Sequence, residues 1–237
     1  MKPFFISESL ARIRERIAAA ARRAGRNPDE VALMAVTKTF APEVIRQAYD
    51  AGQRLFGENR VQEFAAKHES LSALAGAEFH LIGHLQTNKA AKAAELFAAV
   101  DSLDSLRLAE KLNAATGQRA RTLPVLIELN LGGEAAKSGL APDSPELEQI
   151  LQAAPRLANL EIRGLMTIPP YSEDPEGARP FFRRLREIRD QIARRKLPRV
   201  GMDELSMGMS HDFEVAIEEG STCVRLGTAI FGARKKH

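Results

Sequence analysis

Apolar positions along this chain switch repeatedly between two periods. Short runs rich in Val, Ile, Leu and Phe recur at Val31–Thr37, Arg54–Gly57, Phe79–Gly83, Phe97–Val100, Leu123–Asn130, Glu161–Met166, Glu204–Met207 and Cys223–Gly227. Each is short enough and apolar enough to be a buried strand. Between them, apolar residues fall three and four apart, the helical period, over Pro42–Ala51, Arg60–Ser72, Lys89–Leu96, Ser105–Thr116, Pro145–Ala153, Gly177–Arg195 and Phe213–Glu219. An opening helix is expected over Ile6–Ala21, where Leu10, Ile13, Ile17 and Ala21 share one face. Pro42 in a first turn, and Gly52 and Gly117 just past last turns, are start and stop signals.

Strands alternating with helices predict a parallel sheet, and about eight such units predict a closed (β/α)8 TIM barrel. A doubly wound open sheet is the alternative, because runs such as Arg54–Gly57 are short. No Pro-, Gly- or Ser-rich linker divides the chain, so residues 1–237 are expected to form a single domain. Leu131–Pro145, with Gly132, Gly133, Lys137, Ser138 and Gly139, reads as a long strand-to-helix loop over the barrel mouth.

Composition narrows the class. A chain of 237 residues with 44% hydrophobic content can bury one core of barrel size. The single cysteine, Cys223, excludes an internal disulfide framework and a cysteine-rich zinc site. Met1–Ile13 lacks the long apolar run of a signal peptide, and no stretch approaches the roughly 20 apolar residues of a membrane span. A soluble cytoplasmic monomer is expected. The net charge is +3, with a basic concentration between Arg179 and Arg199. Such a run can mark a nucleic-acid surface. Here Phe181, Leu185, Ile188 and Ile192 define a buried stripe that leaves the arginines on the wet face. Aromatic residues are only 5% of the chain, too few for base-stacking platforms. Neither nucleic acid nor membrane is expected as a partner.

In a barrel, chemistry gathers at the C-terminal ends of the strands. Those ends carry Lys38, Glu58 with Asn59, His84, Asn130, Met166 with Thr167, Ser206 to Ser210, and Gly227 with Thr228. The last strand, Val224-Arg225-Leu226, runs into Gly227-Thr228 at the start of a helical turn, offering N–H groups and a hydroxyl to a phosphate. Lys38 closes the first strand, where a mouth lined by apolar side chains favours the neutral, nucleophilic amine. An amine for an aldehyde and a cradle for a phosphate are the two fixings that pyridoxal phosphate (PLP) needs. Arg225 stands in an apolar strand where an unpaired charge is costly, so it needs an acceptor: a pyridine nitrogen or a carboxylate across the barrel. His80 and His84 are four apart, which shares a face only in a helix. Leu81-Ile82-Gly83 reads as a strand end, so a structural or pocket-lining role is expected and no metal. Glu58 reads as a capping or supporting group, and Met202, Met207 and Met209 as core and mouth fillers.

Taken in order, Ala35-Val36-Thr37-Lys38, the segment Phe56 to Glu63, the segment His80 to Lys89, Lys137-Ser138-Gly139, Gly164 to Ile168, Leu205 to Ser210 and Arg225 to Gly232 resemble the pyridoxal phosphate homeostasis family over nearly the full length. The resemblance implies a single fold-type III barrel, similar to the barrel domain of alanine racemase without its β-domain. It implies PLP as cofactor, held as a Schiff base on Lys38, with Asn59 beside the ring and Arg225 at the pyridine nitrogen. Gly227, Thr228 and Ser206 are implied at the phosphate, and Met166 completes the expected cofactor-binding set; the part of Ser210 is left open. The implied function is intracellular buffering and delivery of PLP without established catalysis, with amino acids and PLP-acceptor enzymes as partners.

Arginine stays protonated, so it leaves a ring nitrogen unprotonated and weakens the cofactor as an electron sink. Two other readings compete. An amino-acid racemase of the same fold type needs an acid/base on each face of its substrate. Lys38 serves one face, and neither Tyr49 nor Tyr171 is placed by a motif at the other, although Tyr171 follows Pro169-Pro170 within reach of the mouth. A basic barrel binding RNA through its arginine-rich helix is the third.

Overall fold

The computed structural model describes residues 5–134 and 138–232. Eight strands, β1 (Ala32–Val36), β2 (Leu55–Glu58), β3 (Glu78–Leu81), β4 (Ala99–Leu103), β5 (Leu123–Leu129), β6 (Leu160–Thr167), β7 (Val200–Ser206) and β8 (Cys223–Leu226), pair in parallel in chain order. Pairing of Ala32 to Ala35 with Cys223 to Leu226 brings β8 back onto β1 and closes the barrel. That closure excludes the open sheet. Outside lie α1 (Ile6–Arg23), α2 (Pro42–Asp50), α3 (Val61–Leu71), α4 (Ala90–Leu96), α5 (Leu106–Gly117), α6 (Pro145–Ala153), α7 (Arg179–Arg194), α8 (Phe213–Glu218) and the single turn α9 (Thr228–Phe231).

The strands bury one face inside the barrel and the other beneath helices, which is why β1 and β5 read as near-continuous apolar runs. The core between strands and helices is built from Phe56, Phe64, Phe97, Phe182 and Phe213, all fully buried, and from the aliphatic residues around them. Helix starts follow their side chains. Ser105 Oγ accepts from the Leu108 amide, and Ser144 Oγ accepts from the Glu146 amide with Pro145 in the first turn. Because α9 is one turn long, α1 packs against α8, α9 and α2, covering the seam beside β8. It is fixed there by Arg16, whose guanidinium lies 4.7 Å from the Phe213 ring centre and pairs with Glu214.

Four expectations need correction. Strand β4 starts at Ala99 and ends at Leu103, later than expected, because its second half carries the buried polar residues Asp101 and Ser102. Ser102 Oγ donates to the Gly83 carbonyl at 2.7 Å, which satisfies it inside the sheet. Strand β7 begins at Val200, ahead of Glu204, through a polar stretch at the barrel's N-terminal end. On α7 the buried stripe uses Phe182, with Leu185, Ile188 and Ile192, while Phe181 is half-buried. Nor are the α7 arginines simply solvated. Arg179 pairs with Glu176, Glu218 and Glu219, Arg183 and Arg186 pair with Glu219, and Arg195 pairs with Glu148. Lys137 lies outside the described residues.

The β6–β7 contact sets a steric limit. Register shifts between Ile162 and Gly164, and a Cβ on Gly164 would run into the backbone carbonyl of Glu204. Gly164→Ala is expected to destabilise the barrel by about 3 kcal/mol, the top of the usual overpacking range. Thermal unfolding checks this, with a fall in melting temperature of several degrees expected.

Candidate functional site

At the C-terminal ends of the strands a cavity of about 300 Å³ is lined by Val36, Lys38, Asn59, Ile82, Tyr171, Met209, Ser210, Arg225, Gly227 and Thr228, among others. Lys38 follows β1 in a turn where Thr39 takes a left-handed φ of 68° and the Phe40 amide donates to the Thr37 carbonyl at 3.1 Å. Asn59 follows β2 and rests against Gly83. A Cβ there would lie 2.8 Å from the Asn59 carboxamide, so only glycine admits this approach.

Arg225 on β8 is the buried cation of the site, 3% exposed. It donates from Nη1 to Ser206 Oγ at 2.7 Å and from Nη2 to the Thr167 carbonyl at 2.8 Å. Among the described residues no carboxylate is within ion-pairing distance of it. Burial draws its pKa below the ordinary guanidinium value, opposed by the more distant charges of Asp101, Glu128 and Asp212. Arginine remains protonated at neutral pH despite that pull.

The donor set at the other end of the cavity is Ser210, Gly227 and Thr228. The amides of Gly227 and Ala229 both donate to Ser210 Oγ at 3.3 Å, long bonds that leave two N–H groups converging on one point. Gly208 makes this possible. Its φ is +95°, an added Cβ would sit 2.6 Å from that of Ala216, and its carbonyl accepts from the Arg225 amide at 2.9 Å. Asp212 Oδ1 then accepts from the Met209 amide at 2.6 Å, so the turn delivers Ser210 beside Gly227.

Lys38, Asn59, Arg225, Gly227 and Thr228 are therefore brought together. Two expected members do not line the cavity. Ser206, expected at a phosphate, is fully buried with its hydroxyl engaged by Arg225, and it does not line the cavity. Met166, paired with Ser206 across the sheet, is fully buried in β6 and does not line it either. Tyr171 lines the rim, 79% exposed, its ring centre 5.9 Å from that of His211. Tyr49 instead donates to the Ala75 carbonyl on the outside of the barrel.

Lys67, the partner of Glu58, went unnoticed in the sequence. Glu58, fully buried at the end of β2, accepts from Thr37 Oγ1 at 2.5 Å and pairs at 2.7 Å with Lys67 of α3. Burial raises the Glu58 pKa, against the lowering pull of Lys67 and Thr37. A lysine on the same stripe as Val61, Phe64 and Leu71 was the available signal.

A larger cavity of about 720 Å³ opens at the opposite, N-terminal end, where His80, Asp101, Arg163, Glu204 and Cys223 meet. His80 Nδ1 is 3.2 Å from Asp101, and burial pushes the Cys223 thiol up to about 12. His84 is separate, pairing with Asp104 at 2.9 Å. Among the described residues no three His, Cys, Asp or Glu are grouped to hold a metal. Size does not make this end the reactive one, because barrel chemistry is built on the C-terminal face.

A closed eight-stranded barrel with a lysine, an arginine and a Gly-Thr turn at its mouth belongs to a recognisable class. The sequence signature of the alanine racemase N-terminal domain matches residues 9–235. The chain is 47% identical over 228 residues to the pyridoxal phosphate homeostasis protein of Aquifex aeolicus, covering 96% of this chain and 98% of that one. It is 44% identical to the protein of the same name from Escherichia coli K12, covering 97% of each. In structure it is similar to PipY of Synechococcus elongatus PCC7942 solved with PLP bound, with 37% identity, a TM-score of 0.83, and coverage of 96% of this chain and 100% of that one. Alanine racemase from Streptomyces coelicolor, at 19% identity and a TM-score of 0.68, shares the fold, with 95% of this chain matched to 59% of that one. The chain belongs to the pyridoxal phosphate homeostasis protein family.

The His80–Asp101 pair has a pH signature. Burial lowers the His80 pKa, but Asp101 more than offsets this and leaves it above the ordinary 6.5. A raised folded pKa gives stabilisation that is complete below the unfolded value and lost as pH rises through the folded one. The melting-temperature advantage of wild type over His80→Gln is thus expected to be larger at about pH 5.5 than at about pH 9. An equal difference at both would contradict the pairing.

Proposed function

We propose that this chain binds PLP at the barrel mouth and acts as a cytoplasmic carrier or buffer of PLP, with amino acids and PLP-acceptor enzymes as partners, and not as an enzyme. The observation that carries this reading is the convergence of Lys38, Arg225 and the Ser210–Gly227–Thr228 donors on one cavity. The naming of its relatives and the PLP bound to PipY support it.

The residues suit the group. When bound, PLP supplies an aldehyde that condenses with amines and a pyridine ring that can accept electrons. Lys38 is half-buried and lines the cavity, so its amine is within the space where an aldehyde carbon would be held. The amides of Gly227 and Ala229, now shared on Ser210 Oγ, are free to turn to phosphate oxygens, with the Thr228 hydroxyl beside them. Ser206 and the Thr167 carbonyl orient Arg225 and leave further N–H donors for the cavity. A fixed guanidinium can donate to a ring nitrogen but does not transfer a proton to it, which suits holding over turnover.

The racemase reading has one observation in its favour, Tyr171 at the rim. It is 79% exposed, so burial does not fix it in place as an acid/base.

Borohydride reduction of the PLP complex and peptide mapping are expected to place the label on Lys38. Label on Lys89 or Lys137 would overturn the assignment. Thr228→Ala is expected to weaken PLP by one to two decades, about 1.5–3 kcal/mol for a hydrogen bond to a charged group, and pyridoxal much less. Equal losses would place the phosphate elsewhere. With L-amino acids over hours, no sustained alpha-proton exchange is expected. Turnover lost in both Lys38→Ala and Tyr171→Phe would assign the chain to the racemases.

A further inference from the structure

We infer that Lys67 is a positioning residue for Lys38: a buried cation on α3 that grips the backbone on both sides of Lys38 and so presents its amine to the aldehyde of PLP. The inference rests on the proposed role of Lys38.

Lys67 is 8% exposed, and burying a lysine is costly unless its charge and its donors are matched. They are matched completely. Lys67 Nζ donates to the Thr37 carbonyl at 3.1 Å and to the Phe40 carbonyl at 3.3 Å, and pairs with Glu58 Oε1 at 2.7 Å. An ammonium has three N–H groups and a neutral amine only two, so this acceptor set fits the charged form.

The two carbonyls bracket Lys38. Between them Thr39, a β-branched residue, holds a left-handed φ of 68°, a conformation that persists only where the surroundings enforce it. Lys67 supplies that enforcement from one side, and the Phe40 ring, 4.7 Å from that of Phe231, supplies it from the other. Glu58 completes the clamp, since its Oε1 also accepts from Thr37 Oγ1 and its own strand leads directly into Asn59 at the cavity wall. One ammonium thus ties the end of β1, the end of β2 and the inner face of α3 around the reactive lysine. The Lys67 and Glu58 contacts themselves reach none of Ser210, Gly227 and Thr228; only the Phe40 ring touches that turn, through Phe231.

That separation gives the test. Pyridoxine 5′-phosphate has the ring and the phosphate of PLP but an alcohol in place of the aldehyde, so it cannot condense with Lys38. In Lys67→Met, PLP affinity is expected to fall by about tenfold or more, while pyridoxine 5′-phosphate changes by less than about twofold. The absorbance of the Lys38–PLP link should also appear more slowly on mixing. Should Lys67→Met not fold, the double variant Lys67→Gln with Glu58→Gln removes both charges together, and the same selective loss is expected of it. Parallel losses for both ligands would mean that Lys67 only supports the fold, and no loss for either would mean that it positions nothing; each overturns the inference. Wild-type protein labelled by borohydride away from Lys38 overturns the role of Lys38 as well. Label at Lys38 with unchanged selectivity in the variants overturns the clamp alone.

Discussion

A guanidinium buried in an apolar strand, with no carboxylate at pairing distance among the described residues, is the constraint around which the barrel mouth is organised. Arg225 has to be solvated by the protein, and its two fixed acceptors come from different strands, Ser206 at the end of β7 and the Thr167 carbonyl at the end of β6. Its own amide is bound by the Gly208 carbonyl, which starts the turn that carries Ser210 to Gly227. The side chain and backbone of one residue therefore set both the cation at the cavity floor and the convergence of donors at its edge. Loss of a single acceptor would leave a buried donor unmet, a penalty of about 1–3 kcal/mol and more for a charged group.

A second buried cation works on the opposite wall. Lys67 is neutralised by Glu58, whereas Arg225 is not paired with a carboxylate, and the difference fits what each does. The Lys67–Glu58 pair is sealed away from the cavity and acts on backbone carbonyls. Arg225 lines the cavity and brings a net positive charge to it. The ion-paired charge is in the frame, and the unpaired one is at the cavity.

The architecture was legible because both faces of the strands are buried: apolar runs alternated with helical stripes, and the closed barrel followed. Boundaries were less legible where the barrel interior is polar. Asp101 and Ser102 belong to β4 but read as loop, since their partners, His80 and the Gly83 carbonyl, are distant in sequence. The same limit governs the site. Lys38, Asn59, Arg225, Gly227 and Thr228 could be found because they sit at strand ends in motifs. Ser206 was legible as a strand-end hydroxyl but not as one already committed to Arg225, which depends on a contact between β7 and β8. Lys67 was hidden by the habit of reading a lysine on a helix as solvent-facing, although its place on the stripe of Val61, Phe64 and Leu71 marked it as inward. The arginines of α7 posed the converse problem: their acidic partners on α6 and α8 cannot be paired with them by spacing alone.

In the proposed reading, Arg225 at the ring keeps bound PLP a poor electron sink, so that the protein holds the cofactor without using it. Nitrogen-15 NMR of the protein loaded with ring-labelled PLP tests this most directly. A shift typical of unprotonated pyridine, constant across the neutral pH range, is the expected result. A pyridinium shift at neutral pH would contradict the claim, because Arg225 would then not govern the ring nitrogen.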